Sequence, residues 1–157
     1  MERVRRSGAS MMRWVAGAGA RYGAGPFWGG EGSTGSSARA SVDLDLDHLS
    51  RQTFGDPELE DELLRLFDEQ AAQILARLAA PFEAGEADRR AEVAHAMKGS
   101  ALAIGAMATA HIAGIYETAL RGGDPGAEQY RSRLAQTIDT ARRAVASRRV
   151  ALRDEGF

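Results

Sequence analysis

Residues 56–85 read DPELEDELLRLFDEQAAQILARLAAPFEAG. Asp56 and Pro57 form a helix start signal, because an aspartate caps free backbone N–H groups and a proline in the first turn lacks an N–H that would have no partner there. Pro81 and Gly85 mark the end of the run. Between them, apolar residues recur at spacings that predict one long amphipathic helix: Leu59, Leu63, Phe67 with Leu66 beside it, Ile74, Leu78 and Phe82.

Two more helices are predicted directly after this one. The second runs roughly from Glu86 to Ile104 and the third roughly from Ala106 to Arg121. Apolar residues of the third helix recur at steps of four, three and four, and two glycines end it. These residues are Ala108, Ile112, Ile115, Ala119, Gly122 and Gly123.

The fourth predicted helix follows a second start signal, Asp124 and Pro125. Its apolar face comprises Ala127, Tyr130, Leu134, Ile138, Ala141 and Val145. A short helical lead-in around Leu46 and Leu49 precedes the whole set. Four amphipathic helices with short connections predict an all-α fold, an antiparallel four-helix bundle with a short N-terminal helical lead-in.

The first 40 residues differ in composition from the rest. They hold nine of the eighteen glycines and both tryptophans, Trp14 and Trp28, without a sustained apolar period. Such a segment buries too little apolar surface to fold, so we predict a disordered Gly/Ser/Arg-rich tail over residues 1–40 and a helical bundle over residues 41–157. The alternatives for the tail are a targeting peptide, against which Gly17 and Gly19 interrupt the one apolar patch, and a start codon placed too far upstream.

Charge and composition narrow the class of function. Residues 1–40 carry six Arg against two Glu (+4), whereas residues 41–157 carry fourteen basic and twenty acidic residues (−6). An acidic folded region disfavours nucleic acid as a partner. The chain has no cysteine and no apolar stretch approaching the roughly 18 residues of a membrane span. We therefore expect a cytoplasmic protein, and a monomer.

The second predicted helix carries the candidate site, since residues 94–105 read AHAMKGSALAIG. At about 100° per residue, this segment divides into two groups that lie about 130° apart. The group expected to face the core comprises Ala94, Met97, Ala101 and Ile104. The group expected to face solvent comprises His95, Lys98, Gly99 and Leu102.

The exposed group suits phosphoryl transfer. A neutral imidazole is a nucleophile that can carry a phosphoryl group on nitrogen, and it must be exposed for a partner to reach it. Lys98 lies one turn from His95 and can oppose the nearly two negative charges of that group. It is the only lysine in the chain, against nineteen arginines. Gly99 costs about 1 kcal/mol in mid-helix relative to alanine, but leaves bare backbone where a partner would approach.

The run from His95 to Ser100, followed by Gly105, resembles the phosphoacceptor helix of the histidine-containing phosphotransfer (HPt) family. The family pattern is His-x-x-Lys-Gly-Ser/Ala followed by a further glycine, and the resemblance extends over about residues 44–147. Met97 stands where the family prefers leucine, and residues 1–40 have no counterpart.

This resemblance implies a role for each residue of the motif. His95 is the phosphorylated residue, Lys98 its charge partner, and Gly105 the break before the next helix. Partner docking is assigned to Gly99, which provides clearance, and to Leu102 and Ser100. Glu117 falls where the family often has a glutamate, although a surface carboxylate is the commoner interpretation.

The resemblance also implies a phosphocarrier of a two-component phosphorelay and not an enzyme. The chain would have no nucleotide site, and His95, through Nε2, would take a phosphoryl group reversibly from the aspartate of a partner receiver domain. Such receivers belong to response regulators or hybrid histidine kinases. No cofactor or metal of its own is expected, and Mg²⁺ is expected on the receiver.

Two other functions stay open at this point. One is a structural adaptor bundle in which His95 is incidental. The other is the dimerisation and phosphoacceptor module of a histidine kinase, although that family follows its histidine with an acidic residue and Ala96 stands here. His48 and His111 are interpreted as ordinary histidines. The pairs Arg142-Arg143 and Arg148-Arg149 are interpreted as a solvated face, not a nucleic-acid patch.

Overall fold

Five helices and no strand make up residues 44–156, the part of the chain that this computed structural model describes. They are α1 (Leu46–Gln52), α2 (Pro57–Ala79), α3 (Ala87–Ile104), α4 (Met107–Arg121) and α5 (Glu128–Asp154). The predicted all-helical class is confirmed for this part, and buried side chains from all five helices share one core. The disordered tail predicted over residues 1–40 lies outside the described residues. Within the described range, no helix is both long and apolar enough to cross a bilayer.

Helix α2 begins where the sequence predicts and ends two residues before Pro81. The Asp56 carboxylate accepts hydrogen bonds from the backbone N–H groups of Glu58 at 2.9 Å and Leu59 at 3.2 Å. The helix ends at Ala79 because Ala80 is extended, as the residue before a proline usually is. Phe82 was wrongly placed on the apolar face of this helix. It follows the helix, is exposed, and stacks under the Arg90 guanidinium at 5.5 Å.

The buried Arg90 of α3 caps the carboxyl end of α2. Its guanidinium donates hydrogen bonds to the carbonyl oxygens of Leu78 (3.3 Å), Ala80 (2.6 Å) and Pro81 (3.2 Å). The last carbonyls of a helix have no partner within it, so a cation that donates to them also balances the negative end of the helix dipole. Arg90 therefore holds the start of α3 against the end of α2.

The predicted face of α4 is confirmed in part, since Ile112 is buried and Ile115 and Ala119 pack against the core. Ala108 is exposed, and the buried residues are Thr109, Ala110, Ile112, Ala113, Tyr116 and Leu120. The pattern missed Ala110, Ala113 and Leu120, and it also missed Thr109 and Tyr116, whose side chains end in polar groups. Both are satisfied inside the bundle: the Thr109 hydroxyl donates to the Thr137 carbonyl at 3.0 Å, and the Tyr116 hydroxyl donates to Glu128 at 2.9 Å. Burial, followed by the Glu128 contact, raises the pKa of Tyr116 to about 12.

Helix α5 starts three residues later than its signal predicts. Asp124 accepts from the N–H of Gly126 at 2.7 Å through its side chain and from the N–H of Ala127 at 3.0 Å through its carbonyl. Asp124 and Pro125 therefore form a turn that leads into the helix. The predicted apolar face is confirmed, since Ala127, Leu134, Ile138, Ala141 and Val145 are buried and Tyr130 packs on the core edge.

A row of ion pairs joins α5 to α2. The pairs are Arg142 with Asp68 (2.7 Å), Arg148 with Glu60 (2.6 Å) and Arg149 with Asp61 (2.7 Å). The interpretation of the arginine pairs as a solvated face holds for Arg143, which is exposed, but these three half-buried arginines cross to the acidic side of α2. The hydrogen bond from Arg149 holds the pKa of Asp61 below its usual value. Arginines with higher residue numbers on α5 broadly pair with carboxylates of lower residue numbers on α2.

Gly105 joins α3 to α4 and also binds the residue that precedes α1, Asp45. It adopts a left-handed conformation with φ of 78°, and its carbonyl accepts from the Asp45 N–H at 2.9 Å. The α1 residue His48, interpreted from the sequence as ordinary, places Nε2 2.8 Å from the Leu102 carbonyl near the end of α3. A Cβ added at Gly105 would lie 2.7 Å from the Asp45 carbonyl oxygen, so both conformation and space require glycine here.

We predict that Gly105→Ala lowers the free energy of unfolding by about 2–3 kcal/mol, from left-handed strain and the lost Asp45 contact. The matched control is Gly123→Ala, at φ of 67° with nothing within 4 Å of an added Cβ. It should lose only the strain, about 1–2 kcal/mol. Urea denaturation of both variants measures the difference. Equal losses would contradict the role given to the Asp45 contact.

Candidate functional site

The two faces predicted for α3 are present in the structure. Ala94, Met97, Ala101 and Ile104 are fully buried. On the other side, the His95 side chain is 67% exposed, and Lys98, Gly99 and Leu102 are half-buried. The buried face fixes the rotation of α3 about its axis, and this rotation presents the imidazole to solvent.

The imidazole of His95 is tied to α4 through one of its two nitrogens. Nδ1 lies 2.9 Å from Oε1 of Glu117, whose side chain is only 13% exposed. An ionised carboxylate accepts hydrogen bonds and donates none, so in a neutral ring Nδ1 carries the proton and Nε2 keeps its lone pair. Nε2 has no hydrogen-bond partner among residues 44–156. The arrangement leaves Nε2 as an exposed nucleophile.

Glu117 is itself held in place by a second cation. Arg121, one turn further along α4, places Nε 3.2 Å from the same Oε1 atom. The carboxylate therefore lies between an imidazole and a guanidinium. Glu117 was predicted as a site residue only through the resemblance, and Arg121 was not predicted as one. The spacing of four residues from Glu117 to Arg121 on a predicted helix was the available signal for their contact.

The Lys98 side chain lies across α4 without an acidic partner. In the described part of the chain it forms neither a hydrogen bond nor an ion pair. Its aliphatic stem and ammonium pass over Gly114 of α4. A lysine that is packed along its stem and unpaired at its tip can turn its charge toward an arriving anion.

The three residues assigned to docking have different surroundings. At Gly99 an added Cβ would meet nothing within 4 Å, so the backbone is open there. Leu102 packs on the edge of the core, and its carbonyl lies next to His48. Ser100 is only 5% exposed, and its hydroxyl donates to the side-chain oxygen of Gln70 on α2. Ser100 therefore does not belong to an exposed docking surface, and its assignment is corrected.

An open groove between α2 and α3 runs beside the imidazole. Residues of α3, including His95, line one wall, and Leu66 and Gln73 of α2 belong to the other. The described residues contain no group of three or more His, Asp or Glu side chains placed to hold a metal ion. The site thus consists of an exposed nucleophile, an adjacent cation, bare backbone at Gly99 and a groove.

Comparison with known proteins gives one match. The family model for the Hpt domain matches residues 62–144, which is 83 of the chain's 157 residues and runs from the first turns of α2 into α5. The matched segment contains His95, Lys98, Gly99 and Glu117. No curated protein and no solved structure matches the chain.

We predict that Glu117→Ala increases the fraction of His95 that carries its proton on Nε2, because the acceptor that holds the Nδ1 proton is lost. The ¹⁵N shifts of the imidazole nitrogens measure the two tautomers. His48 is the internal control, since its Nε2 contact with Leu102 lies elsewhere on α3 and should be unchanged. If Nε2 carries the proton in the parent protein, the arrangement described for the site is wrong.

Proposed function

The chain belongs to the Hpt domain family, and from that premise we propose that it carries phosphoryl groups on His95 in a two-component phosphorelay. Hpt domains act in histidine phosphotransfer with receiver domains, and they are phosphocarriers and not catalytic enzymes. The observation that carries the proposal for this residue is the His95 ring, which is exposed, bound at Nδ1 by Glu117 and open at Nε2.

The proposed transfer starts from the acyl phosphate on a receiver aspartate. The Nε2 lone pair forms the new N–P bond in line with the P–O bond that breaks, and that electron pair stays on the aspartate oxygen. The Nδ1 proton stays on the ring, where the Glu117 carboxylate balances the positive charge that develops. The reverse sequence passes the phosphoryl group on to a second receiver. Mg²⁺ on the receiver would balance charge there.

Lys98 is proposed as the counter-charge for the phosphoryl oxygens. It lies one turn after His95, and its ammonium is not committed to a carboxylate in the described residues. A charge-assisted hydrogen bond to a phosphoryl oxygen contributes more than a neutral one, and most when the cation gives up no other partner to make it. The absence of an existing ion pair therefore favours this role.

We propose the surface around Gly99 and Leu102, together with the α2–α3 groove, as the docking site for receivers of response regulators or hybrid histidine kinases. The open space above Gly99 would admit the partner's aspartate close to Nε2. We also assign α2 to α5 to an antiparallel four-helix bundle, supported by the reversed order of partners between α2 and α5. The proposed state is a monomer, with residues 41–157 as the phosphotransfer domain.

We predict that ³²P transferred from a phosphorylated receiver appears on the parent protein as an acid-labile, base-stable label, as a phosphoramidate is. His95→Gln should remove the label without changing the helical circular dichroism. His111→Gln is the matched control, because it changes another exposed histidine on the neighbouring helix and should keep the label.

Labelling of the His95→Gln variant would end the assignment of His95. No label from any receiver in a broad panel would favour the structural adaptor. Labelling by ATP and Mg²⁺ without a receiver would favour the histidine kinase module.

We predict that position 99 separates stability from transfer. Gly99→Ala should raise the free energy of unfolding by about 0.5–1 kcal/mol through helix propensity, since nothing obstructs the added methyl. Gly99→Gln should fold equally well but hold the partner's aspartate away from Nε2, and a displacement of about 1 Å can reduce the rate on the order of a hundredfold. Urea denaturation and single-turnover transfer measure the two effects. Normal transfer by Gly99→Gln would mean that the partner docks elsewhere.

A further inference from the structure

Lys98 and Gly114 are in contact across the α3–α4 interface. A Cβ placed on Gly114 would lie 3.7 Å from Cδ, 3.8 Å from Cε and 3.9 Å from Nζ of Lys98. The last three atoms of the lysine side chain therefore lie along the bare backbone of α4. The space above the Cα of Gly114 is thus a seat for the Lys98 side chain.

Helix geometry alone does not explain a glycine at position 114. Nine glycines fall in residues 44–156, and only Gly99 and Gly114 lie inside helices. Glycine in a helix interior costs about 1 kcal/mol relative to alanine. Gly114 has no left-handed φ, and the Lys98 side chain supplies the nearest atoms to an added Cβ. The small residue at position 114 therefore leaves space for the Lys98 side chain, and alanine would leave that space as well.

The seat places the ammonium in the same part of the surface as the His95 ring. Gly114 precedes Glu117 by three residues on α4, and His95 precedes Lys98 by three residues on α3, so each pair shares a helix face. Glu117 already accepts from His95 and Arg121 through Oε1, and Lys98 forms no ion pair with it. The ammonium is thus held near the ring without being neutralised.

We propose that Gly114 is a positioning residue for phosphoryl transfer, because its seat keeps the Lys98 ammonium within reach of a phosphoryl group on Nε2 of His95. This inference rests on the function proposed above. A larger side chain at position 114 would occupy the seat and push the Lys98 stem away from α4. The added methyl of alanine fits at ordinary van der Waals distance, so alanine should keep the seat.

The test uses potassium phosphoramidate as the phosphoryl donor, so that no receiver is needed. In this reaction the Nε2–P bond forms as the P–N bond of the donor breaks, ammonia leaves, and the Nδ1 proton stays on the ring. Lys98→Ala should slow labelling of His95 by about tenfold, the effect of losing one charge-assisted hydrogen bond. Gly114→Leu should slow it to a similar extent, and Gly114→Ala should keep the parental rate.

The double variant Gly114→Leu with Lys98→Ala is the decisive measurement. If Gly114 acts through Lys98, the double variant should be no slower than Lys98→Ala alone. Ala108→Leu is the matched control, since it adds the same side chain at an exposed position of α4 and should leave the rate unchanged. Should Gly114→Leu unfold, Gly114→Gln takes its place with the same expectations.

A second measurement reports the surroundings of the Lys98 side chain and needs no phosphoryl donor. Since Lys98 is the only lysine in the chain, ¹³C-lysine labelling gives one ε-methylene signal. Gly114→Leu should shift this signal, whereas Gly114→Ala should shift it only slightly and Ala108→Leu not at all. An unchanged signal in Gly114→Leu would overturn the seat, and additive rate losses in the double variant would overturn its coupling to Lys98.

Two outcomes distinguish a failure of the proposed function from a failure of the positioning role of Gly114. If the parent protein takes no label on His95 from either phosphoramidate or a phosphorylated receiver, the proposed function fails and this inference falls with it. If the parent is labelled and Gly114→Leu is labelled at the parental rate, the positioning role of Gly114 alone is overturned.

Discussion

The close packing of α3 against α4 is the constraint on which the site depends. The inner face of α3 is rich in small residues, and Ala91, Ala94 and Ala101 are fully buried there. Helix α4 also buries small residues, Ala110 and Ala113. Small side chains let two helix backbones approach closely, and α3 and α4 form the most extensively packed helix pair of the described chain. That approach lets the His95 ring and the Glu117 carboxylate meet at 2.9 Å with the imidazole still largely exposed. With bulkier residues between the helices, the same two side chains could not reach each other.

Sequence patterns predicted the local features of the fold and missed those that need a partner from elsewhere in the chain. Capping at Asp56, the end of α2 and the core face of α3 depend on neighbouring residues only. The face of α4 was predicted only in part because Tyr116 and Thr109 are polar in any periodicity analysis, and only their partners on α5 make their burial possible. The ion pairs of the α5 arginines were missed for a related reason, since spacing within one helix does not show which carboxylates another helix presents.

At the site, the same limit applied to the contact of Glu117 with His95 but not to Ser100. The contact between Glu117 and His95 joins two helices, so no spacing rule predicts it without the register of α3 on α4. The burial of Ser100, by contrast, was available from the sequence. It follows Met97 by three residues and precedes Ile104 by four, which places it on the core side of the same helix that exposes Gly99. Its position beside Gly99 in the motif gave it a docking role that its position around the helix does not support.

The contrast between arginine and lysine gives the single lysine a physical explanation that composition alone could not. Arg142, Arg148 and Arg149 are committed to carboxylates, and the buried Arg90 is committed to carbonyls. A guanidinium has five donors in a rigid plane, so a neighbouring carboxylate tends to fix it in one place. The role proposed for Lys98, holding a phosphoryl group and releasing it again, suits a flexible point charge that has no standing partner. Lys98 meets that requirement: its stem is packed over Gly114, and its ammonium is unpaired within residues 44–156. Arginine at this position would have Glu117 within the same neighbourhood, and an ion pair there would compete with both His95 and the phosphoryl group.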